Sequence, residues 1–239
     1  MTERMHNWHH GRLAAFDIES TGVDPQNDRI VTATVSVVGG QQPLDSVSWL
    51  ADPGIPIPDG AARVHGITTE RAQAEGRPSA EVVAEIIEKL ATEIVKGVPV
   101  VAFNARYDLT MLDREARRIG VAPLTERGAQ LFVIDPLIID KQLDKYRKGK
   151  RTLTAVCEVY NVSLSEDDAH AADADAIAAA RVAWRLGEKF DELKGVGLTE
   201  LHASQILWAA EQAESLEDYF RSQGKNETVE REWPIVSAG

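Results

Sequence analysis

The stretch Leu13-Ala14-Ala15-Phe16-Asp17-Ile18-Glu19-Ser20-Thr21-Gly22 constrains this chain more than any other. A short apolar run ends in two carboxylates one residue apart and then in a Ser-Thr-Gly turn. Successive side chains of a strand alternate faces, so Asp17 and Glu19 project together while Phe16 and Ile18 go to the opposite side. Two acids on one face at a strand end repel each other and cost stability unless something cationic sits between them. A divalent, oxygen-seeking metal ion is the simplest such partner. Taken alone, Asp-x-Glu is common and also reads as a solvated strand face, with Asp24-Pro25 a plain turn. Its meaning rests on the remainder of the chain.

That remainder alternates strand and helix signals. Ile30 to Val38 is rich in β-branched residues and ends at Gly39-Gly40, and Val47 to Leu50 reads as its hairpin partner. The first three strands are therefore expected to be sequential and antiparallel. Pro53, Gly54, Pro56, Pro58 and Gly60 keep the next stretch irregular, and it carries Val64-His65-Gly66-Ile67-Thr68. Ser79 after Pro78 suits a helix N-cap, and Val82, Val83, Ile86, Ile87, Leu90 and Ile94 trace a helical stripe. Val98 to Phe103 reads as a strand buried on both faces and ends at Asn104. Asp108 then opens a second helix, where an acid is also favoured simply by the helix dipole. Leu131 to Asp135 reads as a fifth strand, stopped by Pro136, and Thr152 to Tyr160 as a helix.

A polar, acidic loop from Ser163 to Asp168 delivers the chain to His170 and to an alanine-rich helix running through Leu186. The small side chains of that helix permit close approach of backbone to backbone. On it Asp173 and Asp175 lie on opposite faces, both apolar, so periodicity does not choose between them. Leu198 to Phe220 reads as one or two further helices, and Gly224 to Gly239 as a polar tail.

The length of 239 residues suits one sizeable α/β domain with an appendage, or two small ones. No apolar run is long enough to span a bilayer and no charged leader precedes one, so a cytoplasmic location with no membrane contact is expected. The net charge of −12 argues against a protein that coats nucleic acid through a broad basic surface. One local basic stretch stands out: Lys145, Arg147, Lys148, Lys150 and Arg151. It reads either as a phosphate-contacting patch or as a solvated connection between helices. Cys157, in an apolar helical pattern, is expected to be a buried, inert thiol. His6, His9 and His10 are read as part of a flexible lead-in over residues 1–11.

Taken together, Asp17 and Glu19 before a Thr-Gly turn, Asn104-x-x-x-Asp108 after a buried strand, and His170-x-Ala-x-x-Asp175-Ala resemble the three motifs of the DnaQ-like, or DEDDh, 3′–5′ exonucleases. That family includes the proofreading epsilon subunit of bacterial DNA polymerase III. The resemblance covers about Leu13 to Leu186 and extends to Val64-His65-Gly66-Ile67-Thr68. It implies a ribonuclease H-like α/β fold: a mixed five-stranded sheet, three strands antiparallel and two parallel, flanked by helices. Residues 12–190 would form the exonuclease domain and 191–239 a C-terminal helical extension and tail.

The resemblance also assigns roles. Asp17, Glu19, Asp108 and Asp175 would hold two ions, Mg²⁺ or Mn²⁺, which hydrolyse a phosphodiester when about 3.5–4 Å apart. The family spacing selects Asp175 over Asp173. His170 would be the general base, with an ordinary pKa of about 6.5 that suits proton transfer near neutrality. Thr21 and its neighbouring backbone would contact the terminal sugar, with His65 and Asn104 as walls. The expected partner is a single-stranded or frayed 3′ end, DNA more than RNA, with a DNA polymerase as a further candidate. Two rival functions stay open: an exoribonuclease trimming RNA or short oligoribonucleotides, and a non-catalytic docking subunit of a replication complex.

Overall fold

The computed structural model describes residues 7–163 and 172–237. Its centre is a twisted mixed sheet in the order β4-β3-β2-β1-β5-β6. Strands β1 (Arg12–Ser20), β2 (Ile30–Gly39) and β3 (Asp45–Asp52) form the antiparallel meander read from the β-branched runs. After β3 come two short helices, α1 (Asp59–His65) and α2 (Thr69–Glu75), then β4 (Arg77–Pro78) and the long helix α3 (Ser79–Val95). Strands β5 (Val100–Val101) and β6 (Val133–Ile134) run parallel to β1, separated by α4 (Ala105–Arg118). Helices α5 (Pro136–Leu143), α6 (Leu153–Val159), α7 (Ala172–Lys189) and α8 (Leu198–Ser222) complete the chain.

The alternation in β1 sorts the molecule into two layers. Ala14, Phe16 and Ile18 join the core formed with α3 and α4, which includes Ile86, Leu90, Leu109 and Leu112. Leu13 and Ala15 join a second core on the other face, with Ala176, Ala179, Ala183 and Leu186 of α7. Asp17 and Glu19 continue that second face, so the strand's own pleat carries them toward α7. Ala176, Ala178, Ala179, Ala180 and Ala183 of α7 are buried, and these small side chains let the helix lie close over β1.

Several expectations need correction. The sheet has six strands: Arg77 and Pro78 pair in parallel with Ala51 and Asp52 at the edge, where a proline is tolerated because its missing N–H faces outward. A two-residue strand containing proline has no periodic signature. The fourth and fifth expected strands are trimmed to two residues each by Pro99, which cannot donate, and by Pro136, which starts α5. Ser79 is the first residue of α3 and not its cap; its hydroxyl donates to Glu115 Oε2 at 3.2 Å.

The amino-terminal segment is not a loose lead-in over residues 7–11. Trp8, His9 and His10 form a 3₁₀ turn in which Trp8 and His9 are buried against α7, and the Gly195 N–H donates to Asn7 Oδ1 at 3.0 Å. At the other end, α8 is one continuous helix and the tail folds back on it. Trp233 is buried beside Ala209, the Val236 N–H donates to Thr110 Oγ1 at 3.0 Å, and Arg114 Nη2 donates to the Val236 carbonyl at 2.5 Å. Among the described residues no helix is long and apolar enough to cross a membrane.

Candidate active site

Strand β5 pairs with the first half of β1, Ala14 with Val100 and Ala15 with Val101, so the chain that leaves β5 for α4 emerges beside the second half of β1. Asp17 and Glu19 on β1, and the start of α4 after β5, therefore lie at the same end of the sheet. α7 brings Asp175 from the facing layer. Carboxylate oxygens of Asp17, Glu19 and Asp175 lie within 4.8 Å of one another. Asp108, in the first turn of α4, is buried, and its Oδ1 accepts the Ile18 N–H at 3.2 Å. That bond ties α4 to the strand between the two acids.

The electrostatics agree with the crowding. Asp17 is pushed well above the usual carboxylate range, first by burial and then by Asp108, Glu19 and Asp175. Burial and then Asp175 raise Glu19 to about 7. Asp108 is raised by burial, opposed in part by backbone N–H donors that include Ile18. Among the described residues neither Asp17, Glu19 nor Asp108 has an ion-pair partner. A set of three to four carboxylates with no histidine or cysteine among them fits a hard divalent cation such as Mg²⁺ or Mn²⁺. Asp173 stands apart: it is exposed and accepts the Ala174 N–H at 3.0 Å. The structure thus puts Asp175, not Asp173, with the strand acids.

Residues 14–183 match the RNase T exonuclease family. The chain belongs to the exonuclease family. It is 31% identical over 194 residues to a DNA polymerase III subunit epsilon-like protein of Rhodobacter capsulatus, covering 80% of this chain and 25% of that protein. It is 25% identical over 193 residues to the PolC-type DNA polymerase III of Caldanaerobacter subterraneus subsp. tengcongensis, covering 81% of this chain and 13% of that one. Its fold superposes on the zinc-bound E. coli exonuclease I–single-stranded DNA complex with a TM-score of 0.65 at 20% identity, over 77% of this chain and 42% of that chain. The chain thus spans a quarter or less of the length of the two sequence relatives and under half of the structural one. The superposition identifies the sheet as ribonuclease H-like.

Around the carboxylates of this exonuclease the remaining expected residues fare differently. His170 lies outside the described residues. His65, at the end of α1, lines a cleft of about 430 Å³ together with Glu19, Thr34, Ser48, Arg71 and Asp173. Its Nδ1 accepts the Ile67 N–H at 3.2 Å, and burial, opposed in part by a hydrogen bond with the Ser20 backbone, holds its pKa below the ordinary value. His65 is therefore a neutral ring beside Glu19.

The Thr21 hydroxyl is buried inside the turn, donating to Asp28 Oδ1 at 2.8 Å and accepting the Arg29 N–H at 3.0 Å, so it closes the loop. Asn104 precedes α4 in a left-handed conformation (φ 68°) and lines a different, smaller cavity of about 150 Å³ with Arg106, Asp135, Lys141 and Trp233.

The basic stretch divides in the same way. Arg147 Nη2 and Arg151 Nη1 each donate to Asp140 Oδ2 at 2.6 Å, and Tyr160 OH donates to Asp140 Oδ1 at 2.7 Å. Only Lys145, Lys148 and Lys150 remain exposed. Cys157 is buried and its thiol is pushed up to about 12 by burial, as an inert core residue should be.

Two residues that support the site were not anticipated. Tyr107 OH donates to the Gly22 carbonyl at 2.5 Å and contacts the Ser20 hydroxyl, fixing the turn that follows Glu19. Asp135 accepts the N–H groups of Asn104 (3.0 Å), Ala105 (2.9 Å) and Leu137 (3.0 Å), so one buried carboxylate caps both α4 and α5. An acid between an apolar run and a proline was the available signal for the second.

Proposed function

We propose that this exonuclease removes nucleotides from the 3′ end of single-stranded or frayed DNA, using Asp17, Glu19, Asp108 and Asp175 to hold two Mg²⁺ or Mn²⁺ ions. The observation that carries this reading is the convergence of carboxylates from β1, α4 and α7 on one point. Bound divalent ions supply charge stabilisation at the phosphoryl group and a more acidic water. Asp17, on the shared face between the other acids, would contribute to both ions, Glu19 and Asp175 to one, and Asp108 to the other. The imidazole of His170 takes the proton of the attacking water. The water oxygen forms the new bond to phosphorus, the bond from phosphorus to the O3′ of the penultimate nucleotide breaks, and a nucleoside 5′-monophosphate leaves.

With the Thr21 hydroxyl committed to Asp28, recognition of the terminal sugar falls to backbone at the Thr21-Gly22 turn and to His65 at the wall of the cleft. Lys145, Lys148 and Lys150 contribute phosphate contacts without base information. The catalytic unit would span 12–190 with 191–239 as an extension, in which Gln205 and Val236 brace β6 and α4; a polymerase is the partner that the epsilon-like and PolC-type relatives suggest.

Digestion of 3′-labelled single strands of DNA and RNA of one sequence tests this reading. The expected first labelled product is a mononucleotide, released faster from DNA. A labelled oligonucleotide would mean internal cutting, and faster release from RNA would make RNA trimming the function.

A further inference from the structure

A second group of ligand-type side chains lies at the far end of α7. His9 Nε2 and His10 Nε2 both point at the same oxygen, Glu188 Oε1, at 3.1 and 2.6 Å. The three atoms lie within 4.8 Å of one another. Thirteen positions separate Glu188 from Asp175 on one helix, about 20 Å at about 1.5 Å per residue, so this group is separate from the carboxylate centre.

Its construction is specific. The 3₁₀ turn over Trp8–His10 brings two consecutive imidazoles to one side, with ring centroids 4.3 Å apart. His9 is almost wholly buried, while His10 and Glu188 are about half exposed. The His9 ring can nest there only because position 187 is glycine: a Cβ on Gly187 would lie 2.4 Å from His9 Nδ1. One rigid imidazole is thus set into the helix, with two adjustable ligands at the solvent edge. The neighbouring Lys194 donates to Asp191 at 2.5 Å and is attracted less strongly to Glu188.

The geometry points to a zinc-class metal site formed by His9, His10 and Glu188 that clasps the amino-terminal segment onto α7. Two imidazole nitrogens and one carboxylate oxygen, with water completing the shell, suit Zn²⁺ and its later first-row neighbours and are a poor set for Mg²⁺. The molecule would then sort its ions by ligand type, hard cations to the acids at one end of α7 and a borderline cation to the imidazoles at the other. The clasp fixes residues 7–11, whose Trp8 fills the core under α7.

The test is a Zn²⁺ titration of the full chain carrying Asp17→Ala, which weakens the carboxylate centre, read by competition with a chromophoric zinc indicator and by Tm. The same protein with His10→Ala or Glu188→Gln added is run beside it; both positions are half exposed, and circular dichroism checks that each variant is folded. One Zn²⁺ should bind the parent and raise its Tm, affinity should drop at least tenfold in either variant, and the Tm rise should vanish with it. Mg²⁺ should not substitute. No uptake by the parent, or equal affinity in parent and variants, overturns the proposal.

Discussion

Asp17 and Asp140 are both acids enclosed by the fold, and they live in opposite electrical surroundings. Asp140, fully buried in α5, is met by two guanidinium groups and a tyrosine hydroxyl. Asp17 is met by three other acids. Among the described residues the protein neutralises the first with its own side chains and sets no cation against the second. An acid that is compensated internally serves the fold, and one that is left uncompensated at the end of a sheet serves a ligand. The same contrast divides the basic stretch, where Arg147 and Arg151 belong to Asp140 while the three lysines face solvent.

The contrast makes opposite forecasts for two similar substitutions. Asp17→Asn should lower kcat by about 10³-fold, because charge stabilisation at the reacting phosphate is lost. It should leave the metal-free Tm unchanged or higher, since a repulsive charge is removed. Asp140→Ala should do the reverse. Two arginines and Tyr160 lose their partner in a buried place, which costs about 3–5 kcal/mol of stability, while activity per folded molecule is kept. Denaturant titration and kcat measured on both proteins decide this; a stability loss in Asp17→Asn equal to that in Asp140→Ala would erase the distinction.

Ion binding should shift stability with a definite pH sign. Glu19 moves from 4.5 to about 7 on folding, so its charged form opposes folding. That penalty is absent below about 4.5, grows as pH rises through 7 and persists above. Stability of the metal-free protein should therefore fall across that window relative to Glu19→Gln. Mg²⁺ at about a hundred times its Kd should raise Tm by about 5–10 °C at pH 8, and by clearly less at pH 5.5 where protons occupy the acids. Calorimetry at the two pH values reads it, and an equal Tm rise at both would contradict the assignment.

The smallest effect is expected from the lysines. Replacing Lys145, Lys148 and Lys150 by glutamine should raise KM a few-fold at low salt with kcat nearly unchanged, and the difference should fade as salt is added. A matching loss in kcat would place these side chains closer to the chemistry.

What could be read from the chain beforehand follows from the range of the forces involved. The pleat of β1 and the apolar stripes of α3 and α4 are local patterns, so the antiparallel meander and the shared face of Asp17 and Glu19 were legible. Periodicity did not choose between Asp175 and Asp173, since their helix is apolar on both faces; motif spacing selected Asp175, whose carboxylate lies within 4.8 Å of those of Asp17 and Glu19. Non-local pairings were not legible. Nothing in the spacing of Lys145 to Arg151 reveals that Asp140 claims two of the arginines. Nothing in Ser-Thr-Gly reveals that the Thr21 hydroxyl turns inward to Asp28, seven residues on. The burial of Trp8 depends on a glycine 179 positions away from it, Gly187 under the adjacent His9, and that of Trp233 on the groove between α4 and α8.

The central claim is that the convergent acids hold metal for hydrolysis at a 3′ end. Digestion of a 5′-labelled single-stranded DNA by the wild-type protein and by Asp17→Ala, each with Mg²⁺, with Mn²⁺ and with chelator, tests it most directly. A ladder shortening from the 3′ end is predicted with either metal, lost in chelator and lost in the variant. Cleavage that persists in chelator, or a wild-type protein that binds metal and leaves the strand intact, would contradict it.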